Sequence, residues 1–193
     1  MQLSSDLPHL YFAYGSNLSY EFLKERLKNG EWLDEWHREG VLEGQPPLDL
    51  GTYILDDYEF SYSLNVTPFG EEGTSGNIIP KKGSQVYGVV YQLSDAHLAE
   101  LDRTEDIPEA YKRVAVQVHK CATKVLGNFP LGESLTAWVY VGNSKYIQIE
   151  ENPNREYVNL LIHSAFERLF PREYIDQYLQ AKYPNEILES ATV

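Results

Sequence analysis

The amino-acid sequence predicts an α+β protein built around a mixed or antiparallel, barrel-like sheet that helices flank. Segments that alternate apolar with polar residues, the period of a β-strand, dominate the middle of the chain. The apolar period changes to that of a helix after residue 152. No internal repeat or long linker divides the 193 residues. We therefore expect one domain over residues 1–193, with a core at about 9–183 and a frayed tail at 185–193.

The N-terminal segment predicts a strand, a glycine turn and a short helix. The run from His9 to Tyr14 is aromatic and nearly uncharged, as in a buried strand, and it stops at Gly15. Asn17 and Ser19 are both suitable N-caps for the helix that follows, which is expected to end near residue 30. Helical spacing places four residues on one face of it: Phe22, Leu23, Arg26 and Leu27.

Two predicted strands flank the acidic Asp56-Asp57 pair. Segment 51–55 is one, and segment 58–64 is the other, with aromatic residues alternating with serine and glutamate. This alternation indicates that one face of the second strand is buried. The following stretch, Gly70–Gly76, combines glycine with charge, which predicts an exposed loop.

The next segment predicts a central strand followed by a short helix. Residues 85–93 are apolar on both faces, and Gly88 among them marks a bulge or a close approach by another group. Ser94 is a suitable cap for a helix whose residue Leu101 faces inward. Pro108 prevents that helix from continuing far.

Two strands and two helices complete the predicted order. Segments 111–118 and 135–141 alternate valine and other apolar residues with polar ones, as half-buried strands do. Asn152 followed by Pro153 is typical of a helix start, and helical spacing follows it. A second helix is predicted over 171–183.

The overall charge argues against one large class of partners. Lysine and arginine number 16 against 29 acidic residues, so the formal net charge is −13. Proteins bind nucleic acid and anionic membranes largely through lysine and arginine, and this chain has no basic run. We therefore expect no nucleic-acid partner and no membrane partner.

Cysteine content and the N-terminal sequence favour a cytoplasmic protein. The single Cys121 excludes a disulfide within the chain and fits a reducing compartment. Residues 1–6 lack the basic and apolar regions of a signal peptide, and no apolar run approaches about 18 residues. The five histidines show no metal-ligand spacing, so no metal site is expected. Trp32 and Trp36 cover either the core or a second protomer, which leaves a homodimer open.

The turn at Gly15 has two interpretations. A glycine turn between a buried strand and a helix leaves backbone N–H groups unpaired, and a small carboxylate can accept hydrogen bonds from them. Ser16 adds a hydroxyl donor beside these groups. Alternatively, Gly15 only supplies the turn and Asn17 only caps the helix.

An acidic cluster follows the helix that begins at Ser94. Like charges that crowd together raise the pKa of a buried carboxyl group, which makes it a general base near neutral pH. Alternatively, the acidic run is only a solvated loop. A carboxylate combined with an anion-binding turn suits a zwitterionic amino-acid substrate. The cluster consists of Asp102, Glu105, Asp106 and Glu109.

Three motifs together resemble the γ-glutamylcyclotransferase (AIG2-like) superfamily. The first is the run from Tyr11 to Leu18, which reads Tyr-Phe-Ala-Tyr-Gly-Ser-Asn-Leu. The second is Val86–Tyr91, and the third is Leu101–Glu105. Their order and spacing agree with the superfamily, and the resemblance spans roughly residues 11–157.

The resemblance implies a mixed, largely antiparallel barrel with flanking helices and a cavity at its mouth. It also implies a cofactor-independent enzyme of glutathione metabolism that converts a γ-glutamyl amino acid, a γ-glutamylamine or a related compound to 5-oxoproline and a free amine. Glu105 matches the family's general acid/base. Tyr157 lies where the family has a substrate-contacting tyrosine, although its helical spacing fits a core position equally well. The first motif supplies the other implied substrate-binding residues: Tyr11, Phe12, Ala13, Tyr14, Gly15, Ser16 and Asn17.

The sequence departs from the family pattern beside Glu105. Asp106 stands where these proteins often have glycine, and its charge either makes Glu105 more basic or repels an acidic leaving group. Glutathione, with its second carboxylate, is therefore a less suitable substrate than a γ-glutamyl amino acid or a γ-glutamylamine. Asn17 stands in a turn that contains tryptophan in the glutathione-specific branch, which points the same way. The alternative is a non-catalytic ligand-binding or stress-response protein on the same fold.

Overall fold

The computed structural model places its strands in one closed barrel. It describes residues 8–29, 45–66, 73–121, 134–149 and 152–179. Within these ranges the strands are β1 (His9–Ala13), β2 (Leu48–Leu64), β3 (Ser75–Leu93), β4 (Tyr111–Lys120) and β5 (Ser134–Gly142). The α-helices of the same ranges are α1 (Tyr20–Asn29), α2 (Asp95–Thr104), α3 (Arg155–Glu167) and the short α4 (Arg172–Tyr174).

The barrel closes with the strand order β1-β3-β2-β4-β5. β3 lies between β1 and β2, β4 lies between β2 and β5, and these pairings are all antiparallel. β1 and β5 close the barrel through a parallel contact between Tyr11 and Trp138. The predicted mixed, largely antiparallel barrel with flanking helices is therefore confirmed.

The first long strands extend further than the sequence predicts. β2 continues through Asp57, where a positive φ of 60° and a register shift accommodate the acidic pair without ending the strand. Segments 51–55 and 58–64 therefore belong to one strand. β3 begins at Ser75, which makes the exposed-loop prediction wrong for the buried Gly76. Pairing with β2 gives this part of β3 backbone partners that a solvated loop would not need.

Gly88 in β3 is required by a close approach of β1. A Cβ atom at Gly88 would lie 2.5 Å from the carbonyl oxygen of Ala13 and 2.5 Å from Cζ of Phe12. No side chain fits at these distances, so the predicted close approach is confirmed. The contact holds the end of β1 against β3 just before the turn at Gly15.

Serine side chains cap α1 and α2. Ser19 Oγ accepts a hydrogen bond from the backbone N–H of Phe22 at 3.2 Å, so Ser19 and not Asn17 caps α1. Ser94 and His97 form a capping box in which each side chain accepts the other's backbone N–H at 3.2 Å. These caps fix where each helix begins and hence where its inward side chains lie.

The third helix begins two residues later than predicted. Its N-cap is Asn154, whose Oδ1 accepts the backbone N–H of Glu156 at 2.8 Å and that of Tyr157 at 3.3 Å. Asn152 instead bonds to Thr74 through two hydrogen bonds of 2.9 Å. The predicted helix start at Asn152 is therefore wrong, because its backbone groups are committed to the segment before β3.

The last predicted helix, 171–183, is less regular than its spacing indicates. α4 is a single turn, and a π-helical turn over Ile175–Leu179 follows it directly. The expected inward face is nevertheless present, since Tyr174 and the two ends of the π-helical turn are buried. Burial of these side chains holds the segment against the core although its helix is irregular.

Some predictions concern residues outside the described ranges. These are the end of the last helix at 180–183, the tail at 185–193, and Trp32 and Trp36. Where the chain is described, no helix is long and apolar enough to cross a membrane.

His97 at the start of α2 should make stability depend on pH. Burial lowers the pKa of His97 from its ordinary value of 6.5, and its Nδ1 accepts the Ser94 N–H, which a protonated ring cannot do. The unfolded chain then binds the proton more readily, so stability falls as the pH drops below about 6.5. His97→Gln keeps an acceptor for the capping box but does not titrate. We expect the free energy of unfolding in urea to fall less for His97→Gln than for the wild type when the pH is lowered from about 7.5 to about 5.5. An equal fall in both proteins would contradict the titration of His97 as the cause.

Candidate active site

The ends of several elements surround a cavity of about 250 Å³. The turn after β1, the buried face of α1, the C-terminal end of α2 and the first turn of α3 all contribute to its wall. The first residues of β3 and β4, including Gly76 and Tyr111, complete it. A cavity of this size suits a small molecule rather than a polymer.

The turn after β1 presents backbone donors to this cavity. Ser16–Leu18 form a single 3₁₀ turn in which the Leu18 N–H donates to the Gly15 carbonyl oxygen at 2.9 Å. Within the described residues, the N–H groups of Gly15 and Ser16 have no acceptor, and both residues line the cavity. These amides and the Ser16 hydroxyl are therefore available to a bound carboxylate.

Glu105 ends α2 and lies on the cavity wall with Arg26 beside it. Arg26 Nη1 donates to Glu105 Oε1 at 2.8 Å, and the two side chains are only 5% and 12% exposed. The pair forms because α1 packs against α2 and presents Arg26 on the same face as the buried Leu23 and Leu27. Arg26 therefore fixes the orientation of the Glu105 carboxylate.

A chain of hydrogen bonds runs from Glu105 back to β1. Arg26 Nη1 also donates to Asn17 Oδ1 at 3.4 Å, and Asn17 Nδ2 donates to the Tyr11 hydroxyl oxygen at 2.9 Å. Asn17 is buried, and all four residues line the cavity. The first and third sequence motifs are thus linked through Arg26, which belongs to neither.

The acidic cluster around Glu105 divides into separate environments. Asp102 accepts a hydrogen bond from the Tyr140 hydroxyl at 2.8 Å and pairs with an arginine of β4. Glu109 is an exposed partner of a surface lysine. Glu105 and Asp106 are the two members that line the cavity. The structure therefore separates Glu105 and Asp106 from Asp102 and Glu109, which have partners outside the cavity.

Asp106 occupies a backbone conformation that residues with a side chain rarely adopt. Its φ is 50°, in the left-handed region that glycine adopts without a steric cost. Aspartate tolerates this region better than most residues do. Its exposed side chain consequently places a negative charge on the cavity wall one residue after Glu105.

Tyr157 in the first turn of α3 contacts two glycines of the cavity wall. Its hydroxyl oxygen accepts the Gly76 N–H at 3.0 Å. A Cβ atom would lie 2.8 Å from this oxygen at Gly76 and 3.2 Å from it at Gly15. Glycine at both positions therefore admits the tyrosine, which is 4% exposed and serves the core as well as the cavity wall.

The phenols around Glu105 remain protonated at neutral pH. Burial raises the pKa of Tyr11 and of Tyr111, and the charge of Glu105 raises both further. Burial also raises the pKa of Tyr14, with smaller effects from Tyr111 and Glu105. A neutral phenol donates one hydrogen bond as well as accepting others. The tyrosine side of the cavity is therefore polar but uncharged.

The structure brings most of the predicted site residues together. Phe12 and Ala13 are the exceptions, because both are fully buried in the core and neither lines the cavity. Phe12 packs beside Gly88 instead. The predicted residues that do line the cavity are Tyr11, Tyr14, Gly15, Ser16, Asn17, Glu105 and Tyr157.

Sequence patterns did not identify Arg26 or Gly76 as cavity residues. A signal for Arg26 was present, since an arginine on the apolar face of a helix needs an acidic partner once it is buried. Gly76 lies in a stretch with the composition of a loop, and nothing in the sequence distinguishes it. In the part of the chain that is described, no group of three or more histidine, cysteine, aspartate or glutamate side chains could hold a metal ion.

Solved structures share this architecture. A γ-glutamyl cyclotransferase matches with a TM-score of 0.65 at 22% identity, covering 88% of this chain and 85% of its own. A human protein described as uncharacterized matches with a TM-score of 0.64 at 22% identity and the same coverage, 88% and 85%. A yeast γ-glutamyl cyclotransferase specific to glutathione matches with a TM-score of 0.55 at 12% identity, covering 86% and 90%. At these identities the likeness shows a shared fold. No curated protein matches the chain by sequence.

A family model agrees with the structural matches. The model described as "Gamma-glutamyl cyclotransferase, AIG2-like" matches residues 11–159, which is more than half of the chain. The matched region contains all three sequence motifs, most of β1 and the whole of β2 to β5. The chain therefore belongs to the AIG2-like γ-glutamyl cyclotransferase family.

Proposed function

We propose that this protein is a γ-glutamylcyclotransferase that converts a γ-glutamyl amino acid or γ-glutamylamine to 5-oxoproline and a free amine. The observation that carries the proposal is that one largely buried carboxylate, Glu105, lies on the wall of the same cavity that Gly15 and Ser16 line with their backbone amides. A γ-glutamyl group has an α-carboxylate for the amides and an α-ammonium for the carboxylate. The cavity therefore matches both ends of the reacting group.

The proposed reaction uses Glu105 as its general acid and base. Glu105 takes a proton from the substrate α-ammonium, and the freed amine attacks the γ-carbonyl carbon of the same molecule. Ring closure is intramolecular, so the protein mainly holds a cyclising conformer and no cofactor is required. Glu105 then returns the proton to the departing amine, and the ring nitrogen loses its second proton to water to give the neutral lactam. The Arg26 hydrogen bond supports this role by holding the carboxylate in one orientation.

The charge of Asp106 favours leaving groups that carry no carboxylate. Glu105 and Asp106 both contribute negative charge to the cavity wall, and the Arg26 cation is already hydrogen-bonded to Glu105. A second substrate carboxylate, as in glutathione, would meet this charge without a new basic partner among the described cavity residues. A γ-glutamylamine avoids that repulsion.

Asp106→Asn should therefore make glutathione a better substrate relative to a γ-glutamylamine. Asparagine tolerates positive φ and keeps the side-chain shape, so the change removes charge with little effect on the backbone. A charge interaction at contact distance in water is worth about 1 kcal/mol, which corresponds to about a fivefold change in the kcat/KM ratio of glutathione to γ-glutamyl-n-butylamine. Glu109→Gln, at an exposed carboxylate outside the cavity, is the control. An unchanged ratio in Asp106→Asn would show that this charge does not select the leaving group.

The proposed activity is tested by incubating the protein with L-γ-glutamyl-L-alanine, γ-glutamyl-n-butylamine and glutathione. We expect 5-oxoproline and free amine in equal amounts from at least one of them. Binding of these compounds without product would support the non-catalytic alternative. If the protein neither binds these compounds nor forms product from them, a γ-glutamyl ligand is rejected altogether.

A further inference from the structure

The orientation of the Asn17 side-chain amide is determined by its neighbours. A guanidinium group only donates hydrogen bonds, so the atom of Asn17 that faces Arg26 Nη1 at 3.4 Å is the oxygen. The amide nitrogen then faces the Tyr11 hydroxyl oxygen at 2.9 Å and donates to it. The reverse orientation would place two donors against each other at Arg26.

This orientation leaves the Tyr11 hydroxyl hydrogen for the cavity. The phenolic oxygen accepts from Asn17, so its own hydrogen must be directed elsewhere. Within the described residues, no acceptor for that hydrogen is present, and Tyr11 lines the cavity while its side chain is otherwise buried. Burial and the charge of Glu105 raise the pKa of Tyr11, so the hydroxyl keeps its hydrogen at neutral pH.

Three other tyrosines of the cavity wall have committed hydroxyl groups. Tyr14 donates to the Tyr140 carbonyl oxygen at 2.7 Å, and Tyr140 donates to Asp102 at 2.8 Å. The Tyr111 hydroxyl shares a hydrogen bond of 3.2 Å with Ser75. Tyr11 differs from the two donors, Tyr14 and Tyr140, because its partner Asn17 occupies the acceptor side and leaves the donor side open.

We propose that Tyr11 is a catalytic residue whose hydroxyl stabilises the oxyanion formed on the substrate γ-carbonyl oxygen. The inference rests on the proposed function and adds a role to it. When the α-amine attacks, its lone pair forms the new C–N bond and the carbonyl π electrons move to oxygen. Tyr11 donates a hydrogen bond to that oxygen and keeps its proton. The oxyanion then re-forms the carbonyl and breaks the bond to the leaving amine, which takes the proton from Glu105. The attacking nitrogen still carries a second proton from the ammonium group and loses it to water, which gives the neutral lactam.

The hydrogen-bonded chain suits this role because it aligns the two catalytic groups together. Arg26 contacts the base Glu105 and, through Asn17, the donor Tyr11. Hydrogen bonds linked in series polarise one another, so donation by Asn17 to the Tyr11 oxygen orients the phenol before substrate binds. The donor therefore needs little reorganisation as charge develops.

Tyr11→Phe tests the assignment by kinetics. Loss of one preorganised oxyanion donor lowers kcat by about 100-fold, with a much smaller change in KM. The control is Tyr174→Phe, which removes a similarly buried phenol outside the cavity and should leave kcat within about twofold of the wild type. Circular dichroism and the melting temperature are measured for both variants to check that they fold. A kcat of Tyr11→Phe near that of the wild type would overturn the proposal.

A binding comparison keeps the test independent of turnover. L-Homocysteine sulfonamide carries a tetrahedral sulfur with two oxygens at the γ position, whereas L-glutamine has a planar γ-amide. Tyr11→Phe should weaken sulfonamide binding by about tenfold and glutamine binding by less than about twofold. If the wild type makes no 5-oxoproline, the proposed function fails. The binding comparison then still tests whether the Tyr11 hydroxyl donates a hydrogen bond to an oxygen at that position of the ligand. Equal weakening of both ligands, no weakening, or no binding by the wild type would overturn the role of Tyr11.

Discussion

Glu105→Gln should abolish most of the 5-oxoproline formation while leaving the fold intact. Glutamine keeps the size of the side chain and an oxygen that accepts the Arg26 hydrogen bond, but it cannot take up a proton. General acid–base groups typically contribute about 100- to 10,000-fold to a rate, so we expect kcat to fall within that range. KM should change much less, because the backbone amides of Gly15 and Ser16 remain available to the substrate carboxylate.

The matched control for this change is Glu109→Gln. It makes the same chemical replacement at an exposed carboxylate that follows Glu105 by four residues and does not line the cavity. Its kcat should equal that of the wild type. Undiminished product from Glu105→Gln, or equal losses in the two variants, would show that Glu105 is not the acid/base group.

Arg26→Met should have the largest effect on stability. It removes one partner of an ion pair whose side chains are 5% and 12% exposed, and it leaves the Glu105 charge without this partner. Breaking a buried pair costs about 3–5 kcal/mol. We expect the lower end, about 3 kcal/mol by urea unfolding, because Glu105 borders a cavity that water can enter.

Two comparisons distinguish the cost of breaking the Arg26–Glu105 pair from the cost of replacing any arginine by methionine. Arg103→Met removes the arginine of a more exposed pair on α2, which should cost no more than about 1 kcal/mol. The double variant Arg26→Met with Glu105→Gln should recover much of the loss, because the unpaired charge is then absent. Additive losses in the double variant would mean that the pair contributes little and that Arg26 acts through packing.

Much of the barrel could be predicted because its strands follow simple patterns. The alternation in 58–64 and the apolar run in 85–93 both correspond to barrel strands. Strand ends were less predictable, since β2 passes through the acidic pair and β3 includes Gly76. Pairing across the sheet decides those boundaries, and a local pattern contains no information about a partner that is distant in sequence.

The site was predictable only where its residues lie in one motif. The Gly15 turn and Glu105 stand out locally, one as a glycine turn and the other as part of an acidic cluster. Arg26 does not, because its function depends on the packing of α1 against α2. The donor role of Tyr11 depends on the orientation of the Asn17 amide, which the Arg26 contact determines. Such roles arise from three-dimensional neighbours and have no sequence spacing of their own.

The net charge of −13 also becomes more informative with the cavity in view. A protein this acidic repels a substrate carboxylate at long range, so the attraction has to be local. The amides at Gly15 and Ser16 supply uncharged donors, and Arg26 offsets the charge of Glu105. Recognition by such short-range groups predicts that KM changes little with salt concentration.

The most direct measurement of the central claim is the fate of solvent oxygen during turnover in H₂¹⁸O. Intramolecular cyclisation uses the substrate's own amine as the nucleophile, whereas hydrolysis of the same bond uses water. We predict 5-oxoproline without ¹⁸O, in equal amount to the released amine, from wild-type protein and from Glu109→Gln, with little from Glu105→Gln. Glutamate carrying ¹⁸O as the initial product, or no product from any γ-glutamyl compound, would contradict the assignment.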